Sequence, residues 1–150
     1  MDDFAVLRRK AEYQFGRGAD AALFPEDGEF EVDRSASGRP RQVAGPEGRL
    51  ISVGMDGRFT LGLAGGRRLY DELDAYTVVV GDESEPFVRE GKNVFAKFVD
   101  DVDEDVRPGD EVVVAHERGE VIAVGRAELD AESMREFETG MAVRVREGAT

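Results

Sequence analysis

At 150 residues the chain holds one ordinary domain or two small ones, each with a modest core. It has no cysteine, which removes disulfides and thiolate metal sites. No apolar run approaches the ~20 residues of a membrane span, and the start MDDFAVLRRK lacks the basic-then-apolar order of a signal peptide, so a soluble, cytoplasmic protein is expected. The net charge of −13 comes from 33 acids against 20 bases, of which only Lys10, Lys92 and Lys97 are lysines. Scattered acids with few lysines suggest a surface adapted to high salt, where carboxylates keep the protein hydrated. At ~1 M salt the screening length falls to ~3 Å, so an acidic protein could still hold a polyanion through short-range contacts.

In chain order, Phe4, Leu7, Ala11 and Phe15 recur at helical spacing, which predicts an amphipathic helix over residues 3–14. Gly16 and Gly18 end it, and residues 19–24 add a short turn before Pro25. Residues 29–33 are a weak strand, while residues 50–53 and 58–63 are better ones flanking a hairpin-type turn, Gly54–Gly57. Gly65 and Gly66 are expected to break the pattern before a short helix over residues 67–73. Between residues 34 and 70 lie seven arginines (Arg34, Arg39, Arg41, Arg49, Arg58, Arg67, Arg68) against only Glu47 and Asp56. Arginine grips phosphate bidentately and stacks on bases, so this block suits a polyanion; the same residues would equally serve as partners for acids elsewhere in the fold.

The second half opens on a strand, residues 76–80 (YTVVV). Residues 83–89 form two helical turns, ended by Gly91, and residues 94–99 read as a β-rich apolar strand. Lys92 and Lys97 sit at this join. A glycine there lets backbone approach a partner closely, and the two amines could reach phosphates. The pattern is also that of an ordinary helix–turn–strand with two solvated lysines. Strands over residues 107–114 and 119–127, a helix near residues 131–137 and a strand over residues 140–146 complete the chain. This half is the more acidic, with 19 acids against 9 bases.

Catalytic patterns find little support. His116, the only histidine, reads as part of a solvated strand-end turn, and no nucleophile–base pair can be drawn. Residues 16–21 match G-x-G-x-x-A nominally but follow a helix rather than a strand, and there is no phosphate loop of the G-x-x-x-x-G-K-[ST] kind. The acid run of residues 100–105 reads as a solvated turn. An EF-hand loop beginning at Asp101 would carry Val106 at its sixth position and Val112 at its twelfth. Neither metal nor cofactor is expected, and no enzymatic role.

GKNVFAK, the RPGDEVVVA strand, AVGRA and GMAV, in that order, resemble a PUA domain, the RNA-binding module named for pseudouridine synthases and archaeosine transglycosylases. YQFGRGADAALF, RSASGRPRQV and DGRFTLGLAGGRRL resemble the small domain preceding the PUA domain in archaeal tRNA-guanine transglycosylases, here of haloarchaeal type. The resemblance spans nearly all of residues 10–148 and lacks the large catalytic barrel. It implies an α+β fold, with a small α+β domain over residues 1–75 and a PUA-type β pseudo-barrel over residues 76–150. It also implies a groove for a tRNA acceptor stem or 3′ CCA end, with Arg89, Gly91, Lys92, Val94, Phe95, Lys97, Met141 and Val143 as its contacts. Since strand side chains alternate, Val94 and Phe95 cannot both face it. Arg34, Arg39, Arg41, Arg58, Arg67 and Arg68 would make a second RNA contact.

The expected role is therefore non-catalytic tRNA binding in support of archaeosine formation, beside a catalytic tRNA-modifying subunit, with no membrane or DNA partner. A different class stays open, in which the groove docks a protein.

Overall fold

The computed structural model describes residues 3–150, and the chain divides into two compact units, the first ending at Asp74 and the second starting at Ala75. The first begins with helices α1 (Asp3–Phe15) and α2 (Ala19–Leu23). Leu7, Ala11 and Phe15 form the buried stripe of α1. Gly16, at φ 96°, stops the helix in the left-handed conformation that a side chain resists. Gln14 locks α1 to the sheet: its amide nitrogen donates to the Phe59 carbonyl and its oxygen accepts the Phe59 N–H, both at 2.8 Å.

That sheet is a four-stranded antiparallel meander, β1 (Glu31–Arg34), β2 (Pro40–Gly45), β3 (Gly48–Val53) and β4 (Phe59–Leu61). The strand β2 had no sequence signature because it buries only Val43, so no apolar alternation marks it. Phe24 and Phe59 meet edge to face in the core, with centroids 6.2 Å apart.

Gly65 and Gly66 do not break the chain. Helix α3 (Leu63–Leu73) runs through both, because the helix packs directly on β3. A Cβ at Gly62 would overlap the Arg49 carbonyl and one at Gly65 the Leu50 carbonyl. The glycines mark close approach, not a stop.

The second unit contains β5 (Thr77–Val80), α4 (Glu85–Arg89), β6 (Val94–Phe95), a 3₁₀ turn (Ala96–Phe98), β7 (Val99–Val102), β8 (Glu111–His116), β9 (Glu120–Ala127), α5 (Ala131–Glu136) and β10 (Met141–Gly148). The continuous strand expected over residues 94–99 is in fact broken by the 3₁₀ turn. The sheet order β6-β10-β9-β8-β5-β7 places β6 and β7 at opposite ends. Laid flat, those ends would stand about 24 Å apart at ~4.8 Å per strand. A three-residue turn reaches only about 10 Å, so the sheet must curl until its two edges nearly meet. This is an α+β fold built on a pseudo-barrel. All pairings are antiparallel except β5 with β8. The barrel core is largely valine and alanine, including Val78, Val80, Val94, Val112, Val114, Ala142 and Val143. On β8 next to this core, Glu111, 6% exposed, takes a bidentate hydrogen bond from the exposed Arg146.

Candidate nucleic-acid interface

The break after β6 shapes the outer surface of the barrel. Alternation buries Val94 and Ala96 and turns Phe95 and Lys97 outward. Phe95 is 47% exposed and pairs across the ladder with Met141 of β10, while the Ala96 N–H donates to the Gly140 carbonyl at 2.9 Å. Phe95, Lys97, Phe98, Glu138, Thr139 and Gly140 line a groove of about 390 Å³ whose walls are almost wholly apolar. Lys97 Nζ lies 5.0 Å from the centroid of the Phe98 ring, a cation held over an aromatic face. Gly140 has φ 104°, and a Cβ there would stand 4.0 Å from Phe137, itself 46% exposed. Two aromatic rings and one amine thus line the groove, with Phe137 beside Gly140 at its edge.

The remaining expected contacts divide. Val94 and Val143 are wholly buried in the barrel core, so neither side chain reaches the surface. Met141 is partly buried on the ladder beside Phe95. Gly91 is exposed at φ 97°, with open space where a Cβ would be, and Lys92 is exposed beside it; neither is part of the groove wall. Asn93 is structural, its Oδ1 accepting the Val145 N–H at 2.9 Å.

Arg89 is engaged in three directions. It donates to Glu85 at 2.9 Å, to both oxygens of Glu120 at 2.7 Å and to the Ala149 carbonyl at 2.9 Å. Arg118 completes the cage by donating to Glu85 and Glu120. The guanidinium of Arg89 therefore ties α4 to β9 and to the end of the chain, with four of its five N–H groups engaged by protein.

The Arg118 hydrogen bonds hold the Glu85 carboxyl at about 2, against an ordinary 4.5; partial burial opposes this, and the Arg89 bond adds to the lowering. A carboxyl lowered in the folded state stabilises fully above its unfolded value and loses that contribution as the pH falls. Stability should therefore decline between about pH 4.5 and about 2. Glu85→Gln should flatten that decline in a series of urea midpoints measured across the same range. An unchanged acid dependence would show that other carboxyls govern it.

His116 is not in a solvated turn. Its side chain is 4% exposed, with Nε2 2.7 Å from Asp82 Oδ1 and Nδ1 accepting the Arg118 N–H at 3.0 Å. That acceptor role puts the neutral ring's proton on Nε2, which donates to Asp82. Asp82, His116 and Glu117 gather ligand-type atoms within 4.8 Å of one another, yet in this tautomer the ring's one lone pair, on Nδ1, is taken by the Arg118 N–H. Of the acid run, Asp100 and Asp101 lie in β7, and Asp103 caps backbone by accepting the Tyr76 N–H at 2.7 Å.

Residues 76–149 match the family model described as the PUA domain, and residues 5–75 that described as the patch-forming domain C2 of tRNA-guanine transglycosylase. The chain belongs to these two families, half by half. A tRNA-guanine(15) transglycosylase of Thermococcus kodakarensis is 44% identical over 141 residues, covering 92% of this chain and 24% of the relative. One from Methanothermobacter thermautotrophicus is 42% identical over 151 residues, covering 99% and 23%. The chain spans about a quarter of the length of the curated relatives it matches. Among solved structures, a hypothetical protein of Pyrococcus horikoshii superposes with a TM-score of 0.77 at 23% identity, covering 98% of this chain and 90% of that one. A conserved PUA domain protein of Thermoplasma acidophilum gives 0.67 at 21% identity, covering 94% and 89%. At such identities the likeness shows the fold.

The arginine block lies in the C2 domain and is largely spoken for. Arg34 pairs with Asp3 at 2.7 Å, Arg41 with Asp33 at 3.3 Å, and Arg68 with Glu47 at 2.5 Å. Arg68 also donates to the Leu23 carbonyl. Arg39 and Arg58 reach concave surface against α1, and Arg67 is exposed on α3. Three of the six are thus held by acids, while Arg39 and Arg58 border adjoining concave surfaces.

Sequence reasoning passed over Phe98, Phe137 and the Glu138–Gly140 segment of the PUA domain. Phe98 was hidden by the assumption of a continuous strand. For Phe137 and its neighbours the only signal was an aromatic beside a charged, glycine-ended turn.

Proposed function

We propose that this chain is a non-catalytic RNA-binding region that supports tRNA modification, with the PUA groove holding an unpaired tRNA end such as the 3′ CCA terminus. The observation that carries it is the groove of Phe95, Phe98 and Lys97 on a PUA domain, joined to a C2 domain whose named relatives are tRNA-guanine(15) transglycosylases. Aromatic faces stack any base, and the Lys97 amine can meet the adjacent phosphate, which suits a single-stranded end better than a duplex. Archaeosine formation is the modification that the sequence resemblance implies, and relatives named tRNA-guanine(15) transglycosylases are compatible with it. The chemistry would fall to a transglycosylase catalytic unit, and the acid-rich, lysine-poor surface supports work at high salt.

A docking role for the same groove is favoured by one observation, the acidity of this half, with 19 acids against 9 bases. Fluorescence anisotropy of labelled total tRNA at ~2 M KCl separates the two, because such salt suppresses nonspecific phosphate attraction. Saturable tRNA binding is expected, with DNA of matching sequence bound more weakly. No tRNA binding would overturn the RNA reading in favour of docking.

A further inference from the structure

The C2 domain carries a second concave surface, between α1 and the turn joining β3 to β4. Arg9, Lys10, Tyr13, Gln14, Gly57 and Arg58 line a groove of about 430 Å³. Lys10 and Gly57 also border an adjoining depression of about 380 Å³, which includes Arg39 and Met55. Helical spacing makes the arrangement: Arg9 with Tyr13 and Lys10 with Gln14 are i,i+4 pairs, so one outward face of α1 presents two cations and a ring. The Lys10 amine lies 3.5 Å from where a Gly57 Cβ would stand, so the glycine leaves this cation uncovered.

Three features set this surface apart. Tyr13 is 94% exposed and Met55 fully so, although exposed aromatics are few in this chain. Among the described residues, neither Arg9 nor Lys10 has a carboxylate within ion-pair distance, in a chain where acids outnumber bases 33 to 20. The acids bordering it are already engaged: Asp3 pairs with Arg34, and Asp56 accepts the Arg58 N–H. In a strongly acidic protein, cations left unpaired around an exposed ring fit a polyanion with stacking bases.

We propose that this groove is a second contact for the same RNA, with Arg9 and Lys10 on backbone phosphates and Tyr13 stacked against an unpaired base. The inference rests on the RNA-binding reading of the chain. It centres the second contact on the exposed face of α1, beside Arg39 and Arg58, rather than on Arg34, Arg41 and Arg68, which are paired with acids.

The test is tRNA affinity of the full chain between roughly 0.3 and 2 M KCl, for wild type, Arg9→Ala/Lys10→Ala, Tyr13→Ala and Tyr13→Phe. The double variant should bind about 10-fold more weakly and lower the slope of log affinity against log salt by about 1 to 2. Tyr13→Ala should lose about 10-fold with its salt slope unchanged, and Tyr13→Phe should retain wild-type affinity, since stacking needs the ring and not the hydroxyl. Wild-type affinity and slope in all three variants would overturn this inference while leaving the PUA groove's role intact. Weaker binding by the double variant with an unchanged slope would overturn the phosphate contact. Absence of tRNA binding by the wild-type chain would overturn both readings.

Discussion

Gly65→Ala is expected to cost the C2 domain about 3 kcal/mol, on the order of 100-fold in its opening equilibrium. In most exposed helix positions the same change would stabilise, because alanine is the better helix former. Here the new methyl would stand inside the Leu50 carbonyl oxygen and against its carbon, both backbone atoms of β3 that cannot rotate away. To accommodate it, α3 would have to lift from the sheet, opening the contacts around Leu61 and Leu69. Native-state amide exchange reads this directly: protection at Ile51 and Leu61 should fall while that of Val113 and Val124 in the PUA domain holds. Unchanged protection at Ile51 would show that α3 does not pack as closely as described.

Phe95→Ala combined with Lys97→Ala is expected to weaken tRNA binding by roughly 10- to 100-fold. Loss of one stacking face costs about 1–3 kcal/mol and loss of a phosphate contact adds to it. Both side chains point outward, and the core partners Val94 and Ala96 are untouched, so the barrel should keep its stability. An equal loss of affinity and of thermal stability would assign these residues to folding instead. Lys92→Ala, a cation outside the groove wall, should show a smaller effect.

The parts of this fold that were legible in the sequence are those where burial writes a local pattern. The valine runs of β5, β8 and β9 are buried almost throughout, and α1 carries its apolar stripe at regular spacing. What was not legible depended on contacts between distant residues. The glycines of α3 look like breakers until the β3 carbonyls beneath them are known. Likewise, residues 94–99 alternate as a strand would, and only barrel closure demands the turn that splits them. His116 looked solvated because its side-chain partner, Asp82, lies 34 residues away in the chain.

The candidate site followed the same rule. Phe95 and Lys97 were visible because outward alternation after Gly91 is local. Val94 and Val143 lie buried in the barrel core, and Arg89 is bound to three protein acceptors, placements that no local pattern announces. Arginines of the block found Asp3, Asp33 and Glu47, pairings no spacing rule could supply.

The most direct test of the PUA groove's role is the affinity of the purified chain for tRNA at ~2 M KCl, measured with the 3′ CCA end intact and after its enzymatic removal. If the groove holds that end, trimming should weaken binding by about 10-fold or more, and the Phe95→Ala/Lys97→Ala variant should bind both forms equally. Equal wild-type affinity for intact and trimmed tRNA would contradict the account.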